Sequence, residues 1–222
     1  NQQILSKGEP VGTFYGLEFD GIVQSNEDVT QLPKVNGNVP SPGDVKYVDH
    51  NGDGKIDGYD RTFLGSTQPK LTYGLSTQFT WRNFDVSVAF AGSVGNRVYN
   101  ALGRRLEQTG DSYNVLSTVL GSWTAENGGN RLPLASTTRP FSYIDSRYVQ
   151  DASYLKLRNV SVGYRVPLPK DGFIRGLKVS ISAANVLTFT NYKGYDPEVA
   201  SGTDDGVYPA SRSVSFGVNV SL

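Results

Sequence analysis

The sequence predicts an all-β fold of antiparallel, up-and-down strands. Apolar and polar residues alternate in five segments, and the links between those segments are short and long in turn. Composition agrees: the chain of 222 residues has 25 Gly, 13 Tyr and 10 Phe and no Met, which suits strands and turns better than helical bundles.

The first segment, LTYGLSTQFTW, puts Leu71, Tyr73, Leu75, Thr77, Phe79 and Trp81 on one face and Thr72, Gly74, Ser76, Gln78 and Thr80 on the other. Arg82 and Asn83 then form a tight hairpin link, and FDVSVAF resumes with Phe84, Val86, Val88 and Phe90 on one face. In the third, YLKLRNVSVGYRV, Val160, Val162, Tyr164 and Val166 oppose Ser161, Gly163 and Arg165, and Pro167 ends the run because it cannot donate to a ladder. The fourth begins with Leu177, Val179, Ile181 and Ala183 against Lys178, Ser180 and Ser182. The fifth carries Val214, Phe216, Val218, Val220 and Leu222 against Ser213, Ser215, Gly217, Asn219 and Ser221.

The links after the first and third segments are short, whereas those after the second and fourth run from about Gly95 to Ser153 and from Asn191 to Arg212. Short turns at one end of a meander and long loops at the other are the pattern of outer-membrane barrels. Tyr73, Trp81, Phe84, Tyr164 and Phe189 fall near segment ends, where an interfacial girdle would lie. No apolar run reaches the roughly 20 residues of a membrane helix, but a membrane strand needs only about 9 to 11, half of them polar. A soluble sandwich also alternates, so a secreted, calcium-binding β-sandwich module that binds carbohydrate is the competing reading. A link of more than about 50 residues is long for a compact sandwich, and five strands are too few to close a membrane barrel, so the chain reads as part of a larger whole.

Lys and Arg total 21 against 21 Asp and Glu, which gives no electrostatic footprint for nucleic acid. Without cysteine there is no disulfide framework, thiolate metal site or cysteine nucleophile. The stretch VDHNGDGKIDGYD matches a twelve-position calcium loop: Asp49, Asn51 and Asp53 at one, three and five, and Gly54 at the sharp turn. The Lys55 carbonyl falls at seven, with Asp57 and Asp60 at nine and twelve. Asp60 is one methylene shorter than the usual Glu. The same residues could instead form an Asx-rich turn that caps its own amides. A structural calcium ion, stiffening an exposed loop, is the cofactor this pattern suggests.

Other chemistry is thinly represented. His50, the single histidine, sits at a non-ligand position of that loop, which leaves no Ser-His-Asp arrangement. Asp204 and Asp205 are adjacent and should point apart and solvate a loop, and the NGGN at 127–130 follows no strand-to-helix pattern. Trp123, Tyr192, Tyr195 and Tyr208 are loop aromatics suited either to binding sugars or peptides or to packing. No enzymatic activity is expected.

Four blocks, PGDVKYVDHNGDGKIDGYDRTFLGSTQPKLTYG, SYLKLRNVSVGY, SAANVLTFTNYKGYDPEV and VYPASRSVSFGVNVSL, together resemble the C-terminal part of a SusC/RagA-type TonB-dependent outer-membrane transporter. The resemblance runs from about Val11 onward. Ser215, Gly217, Val220 and Leu222 match the end signal of outer-membrane barrels, although the family often ends on an aromatic residue rather than Leu222. The resemblance implies the last wall strands, 71–222, of a barrel of roughly 22 strands, with residues 1–70 and two long loops outside the cell. It also implies a plug and a TonB-contacting segment elsewhere in the parent protein, and a Gram-negative outer membrane with the C-terminus on the periplasmic side. A SusD-like lipoprotein would close over the barrel, and the cargo would be glycan oligosaccharides or oligopeptides.

Overall fold

The structure, a computed structural model, describes residues 3–109, 114–128, 131–136, 144–169 and 172–222. In chain order the early strands are β1 (Gln3–Ile4), β2 (Thr13–Gly16), β3 (Phe19–Ile22), β4 (Lys34–Val35), β5 (Val45–Tyr47), β6 (Lys55–Ile56) and β7 (Thr62–Ser66). Then come the long strands β8 (Leu71–Trp81) and β9 (Phe84–Val94), followed by the short β10 (Arg97–Tyr99), helix α1 (Ala101–Glu107) and β11 (Val149–Asp151). Three further long strands finish the chain: β12 (Tyr154–Val166), β13 (Gly176–Thr190) and β14 (Ser213–Ser221). Among the described residues no helix is long and apolar enough to cross a membrane, which says nothing of strands. The chain forms two compact units, one of residues 1–68, 97–151 and 199–207, the other of 69–96, 152–198 and 208–222.

The second unit is one five-stranded antiparallel sheet in the order β14, β13, β12, β9, β8. Each long strand lies beside the long strand before it, as the alternation predicts. Register keeps like beside like: Phe79, Val86, Val162, Ile181 and Phe216 form one apolar row across all five strands. On the opposite face Gln78, Ser87, Ser161, Ser182 and Ser215 form a polar row. The apolar row is uncovered, with Phe79 61% and Phe216 80% exposed. A sandwich would bury that face under a second sheet.

Strict alternation fails at one level, and there the backbone corrects it. In β12 the apolar side chains fall at Leu155 and Leu157 and then at Val160 and Val162, a change of parity. The register slips between Leu157 and Asn159 against both neighbours. Between the rows Leu157–Leu187 and Val160–Ala183, β13 holds three residues, where β12 has two and β9 one. Bulges in adjacent strands thus stack at one level, each adding a residue and keeping the apolar side chains on one face. Asn185 within the β13 bulge takes the left-handed conformation (φ 53°), which Asn tolerates better than most residues, and its Nδ2 donates to the Ser211 carbonyl at 2.9 Å.

The first unit is built from small sheets: β1-β2-β7, the pairs β3-β5 and β10-β11, and the parallel pair β4-β6. Phe14, Tyr99, Tyr148 and Val149 form one buried cluster, and Leu17, Tyr47 and Ile56 another. Beside them a bidentate ion pair lies out of water: Arg147 Nε donates to Asp145 Oδ1 at 2.9 Å and Nη2 to Oδ2 at 2.6 Å, with each side chain 2% exposed. Residues 199–207 pack against β10 and α1 through Tyr99 N to the Gly202 carbonyl and Leu102 N to the Asp204 carbonyl, each at 2.8 Å.

Candidate functional site

The site is the five-stranded sheet itself, and its two faces differ in chemistry. Trp81, Phe84 and Tyr164 gather at the hairpin end, where Phe84 and Tyr164 ring centroids lie 4.7 Å apart and Arg82 stacks 5.0 Å from the Trp81 ring. Tyr73 and Phe189 mark the long-link end. Tyr73 lies across Gly92, its hydroxyl donating to the Tyr154 carbonyl at 3.3 Å, and a Cβ at 92 would stand 2.6 Å from that same carbonyl. Aromatics at both ends of an uncovered apolar band fit a slab of hydrocarbon with two interfaces.

The polar face carries two groups of charges. Near the hairpin end Asp85 accepts from Arg165 Nη2 at 2.8 and 3.0 Å, from Lys178 Nζ at 2.8 Å and from Thr80 Oγ1 at 3.0 Å. Toward the other end Lys156 Nζ donates to Asp196 at 2.7 and 2.9 Å and to Glu198 Oε2 at 2.6 Å. Arg158 and the Tyr154 hydroxyl both donate to Glu198 Oε1. Burial by itself would raise the Asp196 and Glu198 carboxyls, but the Lys156 ammonium and neighbouring donors hold both below the ordinary carboxylate range. Sequence reasoning missed both groups, the second included. Its signal was present, in Lys156 and Arg158 alternating with Leu155 and Leu157, and in the acid pair of DPE.

The acidic loop is closed by its own side chains. Asp49 accepts from Gly52 N at 2.7 Å and Gly54 N at 2.8 Å, Asn51 from Asp53 N and Asp53 from Lys55 N, both at 2.9 Å. Gly52 and Gly54 take φ of 72° and 77°, the left-handed turns that glycine makes without strain. Asp57 caps the 3-10 turn Gly58–Asp60 by accepting from Tyr59 N, and Asp60, buried, accepts from His50 N at 3.1 Å and Asp57 N at 2.8 Å. The Gly54 amide foremost holds the Asp49 carboxyl below its usual range. Among the described residues no three carboxylate or imidazole groups converge as metal ligands. These Asx turns set the loop's shape.

The four aromatics differ in exposure. Trp123 is buried, its Nε1 donating to Gln24 at 3.1 Å, and Tyr192 is buried on the other unit, whereas Tyr195 (64%) and Tyr208 (88%) are exposed. His50 Nε2 lies 3.3 Å from Glu18 Oε2. Asp204 and Asp205 point apart as expected, but Asp204 corrects the solvated reading. It is buried, and its Oδ1 accepts from the Gly206 and Val207 amides, so the carboxylate is bonded within its own turn rather than solvated. Gly129 and Asn130 of NGGN lie outside the described residues. In β14, Ser215 faces Ser182, Gly217 faces Ser180 and Val220 faces Leu177, with Leu222 just beyond the strand.

An uncovered apolar face ringed by aromatics, opposite a polar face, on an up-and-down antiparallel meander, defines a wall segment of an outer-membrane β-barrel. Known proteins agree. The chain is 32% identical over 98% of its length to TonB-dependent receptor P3 of Formosa agariphila, and 29% identical over 82% to TonB-dependent receptor SusC of Bacteroides thetaiotaomicron. A RagAB peptide importer in an "open-open" state superposes with a TM-score of 0.78 over all of this chain at 25% identity, and a RagAB peptide transporter with 0.79. No family model matches. The chain spans about a quarter of the proteins it matches, 23% of P3 and 18% of SusC. It belongs to the TonB-dependent receptors of SusC/RagA type.

Proposed function

We propose that the chain forms the last wall strands of a SusC/RagA-type transporter that imports oligopeptides or glycan oligosaccharides through the outer membrane. The parent protein supplies the plug, the remaining strands and the TonB contact, and a SusD-like lipoprotein closes over the barrel. The observation that carries this reading is the register of the five long strands, which assembles one continuous apolar face and one continuous serine-lined face. Residues 1–70 and the two long links are extracellular in this reading, the C-terminus is periplasmic, and exposed Tyr195 and Tyr208 are the aromatics available to cargo. Ser215, Gly217, Val220 and Leu222 then act as the end signal for barrel insertion.

The test is to tag the parent protein in its native host and fractionate the cells. A heat-modifiable band in the outer membrane that co-purifies with a lipoprotein supports the reading, and recovery in the soluble fraction refutes it. Growth of a deletion strain on peptides or on glycans as sole carbon source separates the two cargo classes.

Calcium at Asp49, Asn51, Asp53, Lys55, Asp57 and Asp60 is a separate proposal, in which the carboxylates keep their bonds to loop amides and turn their remaining lone pairs to the ion. Extracellular sites of this kind bind at about 10⁻⁴ to 10⁻³ M. Terbium luminescence, excited through Tyr59 and displaced by calcium, would support it, and no sensitised signal at about 1 mM terbium would end it.

A further inference from the structure

We infer that residues 191–198 form a strap fastened to the polar face of the sheet by a charge-balanced clamp, Lys156 and Arg158 against Asp196 and Glu198. Leu155 and Leu157 place Lys156 on the polar face of β12. Its row neighbours there are Ala91 and Thr188, small enough to leave room over the ammonium for an incoming carboxylate. The Lys156 side chain is 4% exposed, and an ammonium removed from water needs all three of its protons bound. It has three acceptors, both oxygens of Asp196 and Oε2 of Glu198.

The bulge supplies the second cation. The extra residue of β12 falls at Arg158, and the guanidinium reaches Glu198 beside the Tyr154 hydroxyl. The strap is preformed to receive them: Asp196 Oδ1 also accepts from the Glu198 backbone amide at 2.9 Å, which turns both carboxylates toward the sheet. Two cations and two anions leave no net charge, and release of either carboxylate would take at least one acceptor from the buried Lys156 ammonium. Within the transporter reading, on which only this consequence rests, the polar face is the lumen and the strap is a fixed ledge that narrows it.

Lys193, exposed within the strap and followed by Gly194, is a trypsin site that reports attachment. The full-length transporter in outer membranes is treated with trypsin and the peptide ending at Lys193 quantified by mass spectrometry. Cleavage there follows the population of the open strap. The double variant Asp196→Asn/Glu198→Gln is expected to raise the rate by about tenfold or more, and Lys156→Met to do the same. Asp85→Asn, which removes the ion cluster at the hairpin end of the same sheet, should leave it unchanged. Should Lys156→Met fail to assemble, the double variant, which alters no strand residue, decides alone. Native-rate cleavage in a folded, heat-modifiable double variant overturns the clamp. So does equal acceleration by Asp85→Asn, which would mean general loosening. The transporter reading fails by a different route, through absence of the parent from the outer membrane.

Discussion

Buried charge at Asp145 and Arg147 is tolerated because each meets the other, and single residues decide that. Asp145 and Arg147 hold each other in a bidentate pair almost out of contact with water. Removing one partner of such a pair leaves the other charge uncompensated, a loss of about 3–5 kcal/mol, whereas an apolar replacement of both comes close to neutral. Arg147→Met should therefore destabilise the first unit strongly, and Asp145→Leu/Arg147→Met much less, as measured by protease resistance of that unit. The acidic loop tests the same idea at a surface. Asp49 has its pKa lowered by amide bonds that only the carboxylate accepts well. Its contribution is complete above the ordinary carboxylate pKa and disappears as pH falls below that range. The protection of the Gly52 and Gly54 amides against hydrogen exchange, corrected for the intrinsic pH dependence of exchange, should hold through neutral pH and fall only in acid, and Asp49→Ala should lower it at every pH.

At the scale of elements, register is what the bulges protect. Deleting Arg158 would remove the extra residue of β12 and move Val160, Val162, Tyr164 and Val166 to the polar face in one step. Arg158→Ala removes the same guanidinium and keeps the register. The deletion should abolish the heat-modifiable folded band while Arg158→Ala retains it. Asn185→Ala should cost about 1–2 kcal/mol through its left-handed backbone, and Asn185→Gly less. The strands themselves were legible because their signal is local: a period of two from Leu71 to Trp81 needs nothing beyond neighbours in sequence. The bulge was legible only in part, since the parity change from Leu157 to Val160 looks like imperfect alternation until pairing with β9 and β13 is known. Trp123 and Asp204 were illegible in their burial, because each is buried by segments far away in sequence. The Lys156 clamp joins residues 40 or more positions apart. Sequence showed the charges but not their meeting.

For the whole molecule the decisive question is which face meets hydrocarbon. A barrel wall turns Phe79, Val86, Val162, Ile181 and Phe216 to lipid, and the row Ser87, Ser161, Ser182 and Ser215 to water. The two rows lie next to each other along the strands, so Ile181 and Ser182 have nearly the same depth and opposite surroundings. A charge on the lipid face near the midplane costs about 2–4 kcal/mol, and on the lumen face almost nothing. Ile181→Arg should thus lower the yield and urea resistance of the parent protein folded into vesicles, with Ser182→Arg close to native. A covered sheet in a soluble assembly would penalise Ile181→Arg too, but detergent or lipid would then be dispensable for folding. Running both substitutions with and without vesicles separates the cases. Lipid-dependent loss at Ile181 alone marks the apolar face as membrane-facing, and equal losses at both positions would mean that the serine row is packed rather than wet.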